Sequence, residues 1–396
     1  MVLITSGFML MFWSIYDGMI SYLTPIIMES KGLSNTQIGL LISFSAICGA
    51  AFDLIISKYF RFSHYLRYFI FVFIICLSYP LFLWSTNNFF GFLLIMALWG
   101  LTYDFINFGI YDLIARVSPK NKRTYDISVI GTFKSLGYLI GPLLIAYLIS
   151  SWSLSLSSIS FVYLFLSISL TLYVVLFSLS SSAEFFQPEP NSTKSIHWGA
   201  ELKLWKKFGR VLWPVLIFNT TFFIFEATFW TLGPIFSQQF PDVKNFSFLF
   251  MGVYIFPSLF VIKFAQMITN RFGKKRTAYV SLIISSIFLL PFAIISNPII
   301  LLLMVFFSTI FATLAWSAIG GAFVDYVAES DINDNEIIGL KDFSANIGYV
   351  IGPTLAGILS DQFGIRGTFT ILSIICILIV SSLFSITPKH IDVSVR

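Results

Sequence analysis

Long apolar runs, broken only by short basic stretches, constrain this chain more than any other feature. Residues 299–323 contain no charged side chain at all, and a run of about 20 such residues is what a helix needs to cross the hydrocarbon of a bilayer. No water reaches the peptide groups there, so each run must satisfy its own backbone as a helix. Twelve spans are read on this basis: 7–27, 38–59, 69–84, 89–113, 127–149 and 157–179, then 211–236, 246–268, 278–296, 299–323, 338–359 and 368–386. The chain is 57% hydrophobic and 11% charged, against about 25% charged in a soluble domain. The fold class is therefore an all-α integral membrane protein. Residues 1–179 are expected to form an N-terminal six-helix bundle and 211–396 a C-terminal one. The polar stretch 180–210, with Gln187-Pro188-Glu189-Pro190 and a basic end, reads as a linker that can close in an interfacial helix.

The net charge of +5 does not point to nucleic acid, because the basic residues sit in short clusters beside the spans, as topology signals do. Lys58, Arg61 and Arg67, the run from Arg116 to Arg123, the linker cluster and the run from Arg271 to Arg276 fall on one side; Lys31, Lys244 and Arg366 fall on the other. Loops rich in Lys and Arg stay in the cytoplasm, which puts both termini and the linker there. Glycosylation at Asn191-Ser192-Thr193 in a eukaryotic membrane would overturn that topology. Only Met1 to Ser6 precede the first run, without a basic residue, so it reads as a retained helix and not a signal peptide. Cys48, Cys76 and Cys376 fall inside spans without metal-ligand spacing and read as packing residues. His64, His197 and His390 fall outside the spans, leaving no intramembrane histidine for haem or metal. No cofactor is expected.

One phrase occurs twice. Gly137-Tyr138-Leu139-Ile140-Gly141-Pro142 returns 211 residues later as Gly348-Tyr349-Val350-Ile351-Gly352-Pro353, which suggests two similar halves with pseudo-twofold symmetry. Glycines one turn apart admit a neighbouring backbone, and proline removes a hydrogen bond and bends the helix. Between the eighth and ninth spans lie Asn270, Arg271, Phe272, Gly273, Lys274, Lys275 and Arg276. With six spans, a linker and six spans, these motifs resemble the major facilitator superfamily of secondary transporters. The loop is similar to that family's short cytoplasmic motif, with Asn270 where an acid is usual; the first-half loop around Lys58 and Arg61 has lost both acid and glycine. The resemblance implies alternating access about a central cavity lined by the first, fourth, seventh and tenth spans. It also implies that the doubled phrase bends helices five and eleven where the moving bundles meet.

Those four spans carry polar stripes that periodicity shows without the analogy. Ser14, Asp17, Ser21 and Thr24 share one face of the first; Gly100, Asp104, Asn107 and Tyr111 of the fourth; Asn219, Phe223, Glu226 and Trp230 of the seventh; Thr309, Thr313, Trp316 and Gly320 of the tenth. A shared aqueous cavity explains them better than lipid contact. Trp13 and Tyr16 are candidates for its walls beside the named aromatics, with core packing the alternative for each aromatic. An ionisable residue at a helix centre costs roughly 2.5–3.5 kcal/mol on insertion scales. Asp17 is accordingly the leading candidate for proton or cation coupling, with Asp104 and Glu226 sharing coupling or substrate recognition. The alternative for each is a structural carboxyl bonded to nearby hydroxyls or amides.

A second class of charges, Asp53, Lys134, Lys263, Lys341 and Asp342, lies nearer the cytoplasmic boundary. By the family resemblance Asp53 pairs with Lys341 as a cytoplasmic gate, and Lys134 and Lys263 face like charge; a static ion pair or a snorkelling lysine is the alternative. Asp112 and Asp325, at the ends of the fourth and tenth spans, read as loop-positioning residues. The expected function is secondary active transport of a small, amphipathic or cationic solute, with proton-coupled efflux ahead of metabolite import. The doubled phrase resembles the fifth-helix motif of proton-coupled exporters, but Met96 stands where those usually carry an arginine. A channel, a nontransporting receptor or a polytopic enzyme ranks lower: no phosphate-cradling Gly-Lys motif, His-acid cluster or nucleophile elbow is found, so no catalytic residue is assigned. The acidic loop from Glu329 to Glu336 lacks calcium-loop spacing, and no metal site is assigned. The expected partners are a small-molecule substrate, a proton or other coupling ion and the lipid bilayer, for a monomer in a bacterial inner membrane.

Overall fold

The computed structural model describes residues 1–59, 64–119, 122–152, 156–181, 198–240, 248–328 and 334–387. Every regular element among them is helical: α1 Val2–Ser30, α2 Asn35–Tyr59, α3 Tyr65–Ser85, α4 Phe89–Val117, α5 Arg123–Trp152, α6 Leu156–Ser181, α7 Trp198–Gln238, α8 Leu249–Ile255, α9 Ser258–Phe272, α10 Lys274–Leu289, α11 Pro298–Ala328 and α12 Asp334–Ile386, with a 3-10 turn at Leu290–Ala293. Among the described residues, ten helices are long and apolar enough to cross a membrane, or eleven if one bent pair counts as a span. The last of them holds 47 apolar-rich residues, Leu340–Ile386, a rise of about 70 Å if straight and more than twice the hydrocarbon thickness of about 30 Å. Gly364 interrupts it at φ 72 and ψ 164, a backbone conformation glycine adopts without a Cβ clash. The expected eleventh and twelfth spans lie on either side of that break.

Three element bounds depart from the sequence expectation, each for a local reason. The basic end of the linker, with Lys206 and Arg210, is the start of the 41-residue α7 and not a separate interfacial helix. The expected eighth span, 246–268, is two helices, α8 and α9, separated at Phe256 and Pro257, where proline supplies no N–H to continue the ladder. The ninth ends early at Leu289, giving way to the 3-10 turn that opens with Leu290 and Pro291.

The chain divides into two compact units, Met1–Ser192 with Ser237–Gly252, and Thr193–Phe236 with Val253–Arg396. In the first, α1 packs on α5 and α6, α2 on α4, and α3 on α4 and α6. In the second, α10 packs on α11 and α12, and α9 on α10 and α11. The second unit's core joins Phe218 and Phe222 of α7 with Tyr279 and Leu282 of α10 and Ala315 of α11.

Several details recur between the units. Asn88 caps α4 by accepting from the Gly91 N–H at 2.7 Å, and Asn297 caps α11 by accepting from Ile299 and Ile300 at 2.9 and 3.2 Å. Each satisfies backbone donors that a helix start leaves orphaned. At the other end of α4, the Asp112 carboxylate accepts from the Tyr65 N–H at 2.7 Å and from Arg116 Nε at 2.8 Å. At the other end of α11, Asp325 accepts from Lys274 Nζ at 2.6 and 2.7 Å. Both acids thus hold the first residue of the preceding helix, α3 or α10.

The doubled phrase packs each helix tightly against a neighbour in its own unit. A Cβ on Gly137 would meet the Met11 carbonyl and stand 2.6 Å from Ser14 Cβ, and one on Gly141 would meet the Ile15 carbonyl. On Gly348 it would stand 2.6 Å from Phe223 Cβ and 2.8 Å from the Thr220 carbonyl, and on Gly352 2.8 Å from Ala227 Cβ. The glycines therefore notch α5 against α1 and α12 against α7, each inside one unit, so they are close-packing positions within a bundle. Gly141→Leu or Gly352→Leu is expected to cost at least about 1–3 kcal/mol through overpacking, read as a lower thermal-unfolding midpoint in detergent; unchanged midpoints would refute the notch.

The start of α3 also carries a pH response. His64 caps it by accepting from the Leu66 N–H, and burial, then the Arg116 guanidinium, push the imidazole below its ordinary range, with Asp112 pulling the other way. The folded state therefore favours the neutral ring, and its contribution is lost as pH falls. His64→Asn keeps a cap acceptor and is expected to lose less stability than wild type between about pH 7 and about pH 5, measured by thermal unfolding across that range.

Candidate functional site

The notch fixes which residues of α1 and α7 face the phrase. Aligning the two contacts places Ile15-Tyr16-Asp17-Gly18 opposite Ile224-Phe225-Glu226-Ala227, 209 residues on: isoleucine, aromatic, acid, small residue. Asp17 and Glu226 are thus equivalent positions in the two units. The small residue follows from packing, since a Cβ on Gly18 would stand 2.8 Å from Pro142 Cδ and Ala227 lies against Gly352.

Around Asp17 the first unit gathers hydroxyls from three helices. The buried carboxylate accepts at Oδ2 from the Tyr138 hydroxyl of α5 at 2.7 Å and the Tyr103 hydroxyl of α4 at 3.2 Å. Tyr103 is also hydrogen-bonded by Ser21. Oδ1 is buried and, among the described residues, has no hydrogen-bond partner. Lys134, one turn before Tyr138, holds Nζ 5.9 Å from the Trp13 ring centroid, near enough for its charge to act on Asp17. An ionised carboxylate out of water needs charge compensation or a full set of donors; Asp17 has donors on one oxygen and a nearby cation.

Around Glu226 the second unit sets aromatics. The Tyr349 hydroxyl of α12 hydrogen-bonds the carboxylate, and the Tyr349 and Phe223 rings lie 5.2 Å apart. Tyr254 of α8 lies close enough to feel the Glu226 charge and meets Trp230 edge-on at 6.4 Å. A carboxylate walled by aromatic rings suits a cation with an apolar body.

The remaining expected site residues divide. Asp104 turns toward α2: a Cβ on Gly49 would lie 3.2 Å from its Oδ2, at a close approach that Gly100 shares. Asn107, Tyr111 and Trp316 are exposed, whereas Thr313 and Thr309 are buried, the latter bonding the Val305 carbonyl at 2.9 Å. Tyr16 and Asn219, expected on a cavity wall, are buried and hydrogen-bonded to neighbouring helices. Tyr16 donates to the Cys76 carbonyl at 2.7 Å, and Asn219 donates to Ser344 Oγ at 2.8 Å and to the Lys341 carbonyl at 3.2 Å, because buried polar groups must find partners. The side chains of Asp53, Asp334 and Glu336, and residues Glu329 and Asp331, lie outside the described residues, so the expected gate and acidic loop do too. In the loop motif, Gly273 has φ +85 and joins α9 to α10, Lys274 makes the ion pair with Asp325, Lys275 bonds the Thr387 carbonyl, and the Arg271 guanidinium lies 5.4 Å from the Phe272 ring. Sequence reasoning missed Tyr103, Tyr138 and Tyr349. Their signal was present, since the two phrase tyrosines follow the first glycine of each notch and the acid-bearing tetrapeptide is itself doubled.

The family model for the Major Facilitator Superfamily matches residues 2–262 and 221–394. A multidrug resistance protein, MdtG, of Klebsiella pneumoniae (strain 342) is 24% identical over 300 residues, covering 72% of this chain and 68% of that protein. Among solved structures, a bacterial homolog of the human lysosomal transporter Spinster matches with a TM-score of 0.71 at 14% identity, over 98% of this chain and 96% of its own. The nucleoside transporter NupG matches with a TM-score of 0.72 at 14% identity, over 97% of each chain. At such identities the solved structures bear on the fold alone, which is that of these transporters.

Proposed function

The chain belongs to the Major Facilitator Superfamily, and on that footing we propose that it is a secondary active transporter that exports a small amphipathic solute by alternating access, driven by proton entry. The coarser part is the family's: a multi-pass membrane protein that transports a small molecule and is not an enzyme. The finer part rests chiefly on one observation, the buried Asp17 carboxylate with hydroxyl donors on one oxygen and, among the described residues, none on the other. That second oxygen is where a proton or a cationic group would bind, and Glu226 offers a matching acid among aromatics.

In this reading Asp17 carries coupling, with Lys134 supplying compensating charge when the coupling ion leaves. Glu226, Phe223 and Trp230 receive the solute, and Asp104, Asn107, Tyr111, Thr313 and Trp316 complete the path. Efflux is favoured over import by the likeness to a multidrug resistance protein, while the nucleoside transporter among the structural neighbours keeps import of a metabolite as the second reading. Met96 occupies the position where exporters of this kind usually carry an arginine, and it accepts a hydrogen bond from the Tyr79 hydroxyl at 3.4 Å; the proton route proposed here therefore runs through Asp17 and not through a fourth-helix arginine. The protein is proposed to act as a monomer in a bacterial inner membrane with both termini in the cytoplasm.

Inside-out vesicles with an acidic lumen, whose proton gradient runs outward, are expected to accumulate the solute; accumulation instead in right-side-out vesicles with an acidic exterior would show import. Asp17→Asn is expected to lower gradient-driven transport by about tenfold or more, and Glu226→Gln to weaken solute affinity by a similar factor, each the size of losing one charged contact. Coupled transport with unchanged pH dependence in Asp17→Asn would remove Asp17 from the coupling role.

A further inference from the structure

We propose that Tyr138 and Tyr349 are positioning residues for the two intramembrane carboxylates, and that the doubled glycine phrase exists to deliver them. Each tyrosine follows the first glycine of its phrase, and each hydroxyl reaches the acid of its own unit: Tyr138 to Asp17 at 2.7 Å, Tyr349 to Glu226. The reach depends on the notch. A side chain at Gly137 would strike the Met11 carbonyl and Ser14, and one at Gly348 would strike the Thr220 carbonyl and Phe223. Either would lift the helix off its partner and withdraw the adjacent hydroxyl. The glycines and the tyrosine therefore form one device, small residues that bring two backbones together and a donor placed at the point of approach.

What the device does follows from hydrogen-bond geometry. A phenol donating to one carboxylate oxygen fixes the rotation of the group, so the other oxygen keeps a fixed direction toward whatever binds it. Asp17 shows this arrangement, with both donors on Oδ2 and Oδ1 left open. The surroundings of the two carboxylates differ. The groups facing Asp17 are Tyr103 from α4 and Tyr138 and Lys134 from α5; those facing Glu226 are Tyr349 from α12 and Tyr254 from α8. The doubled geometry thus holds one carboxylate beside a cation and one among rings. The consequence for transport rests on the transporter reading above; the positioning does not.

The test is infrared difference spectroscopy of the carboxyl stretching region on the purified protein after a pH jump, with the Asp17 band identified by its loss in Asp17→Asn and the Glu226 band by its loss in Glu226→Gln. Tyr138→Phe is expected to move the Asp17 band and leave the Glu226 band in place, and Tyr349→Phe to do the reverse. Transport should fall about tenfold in each, the loss of one hydrogen bond to a charged group, and Tyr138→Phe should add nothing in an Asp17→Asn background. Bands that stay in place, or losses that multiply in the double variant, would overturn the proposal. Should a phenylalanine variant not fold, 3-fluorotyrosine at 138 or 349 strengthens the donor without removing the ring, and the same band must move. If Asp17→Asn transports normally while the bands respond, the transport reading fails and the positioning stands.

Discussion

Close approach of backbones inside each unit is the constraint on which the rest depends. Without a hydrophobic drive to press helices together in lipid, association relies on van der Waals contact and on hydrogen bonds that small residues make reachable. Here α5 meets α1, and α12 meets α7, at paired glycines whose missing side chains leave no more room than the neighbouring carbonyls fill. That contact decides which residues of α1 and α7 are held against a partner helix. It places an acid, 0% exposed in the case of Asp17, opposite a tyrosine hydroxyl, and so converts a costly buried charge into an oriented one.

Much of this was legible in the sequence, and the failures have physical causes. The apolar runs gave nearly every span, because length and lack of charge are what a bilayer selects. The bounds slipped where proline acted: Pro257 divided a run that reads as continuous, and the 3-10 turn containing Pro291 ended the ninth span early. Asp17 and Glu226 stood out because charge in such runs is expensive. Tyr138 and Tyr349 did not, since a tyrosine in an apolar segment ordinarily marks packing or an interface. Periodicity finds the polar face of a helix but does not say what the face meets, which is why Asn219 read as a cavity residue although it bridges to Ser344 and Lys341.

The ends of the helices show a second kind of economy. Asp112 and Asp325 lie at the same end of α4 and α11 and hold the start of the preceding helix by different chemistry, one through a backbone N–H and the other through the Lys274 ammonium. The position of the anchor is retained while the donor changes. That pattern resembles the difference between Asp17 and Glu226, where an acid is kept and the company it keeps is not.

The spacing between equivalent residues is uneven in an informative way. Asp17 and Glu226 are 209 residues apart, as are Asn88 and Asn297, whereas the phrase repeats at 211 and the acids Asp112 and Asp325 stand 213 apart. From cap to acid, α11 is four residues longer than α4, close to the 3.6 residues of one turn, so the insertion returns the acid to nearly the same face. A chain that arose by duplication and then drifted would accept length changes of this kind, a whole turn inside a helix or any number in a loop, and reject those that rotate a contact. Outside these positions the two halves share little sequence; what they have in common is angular register.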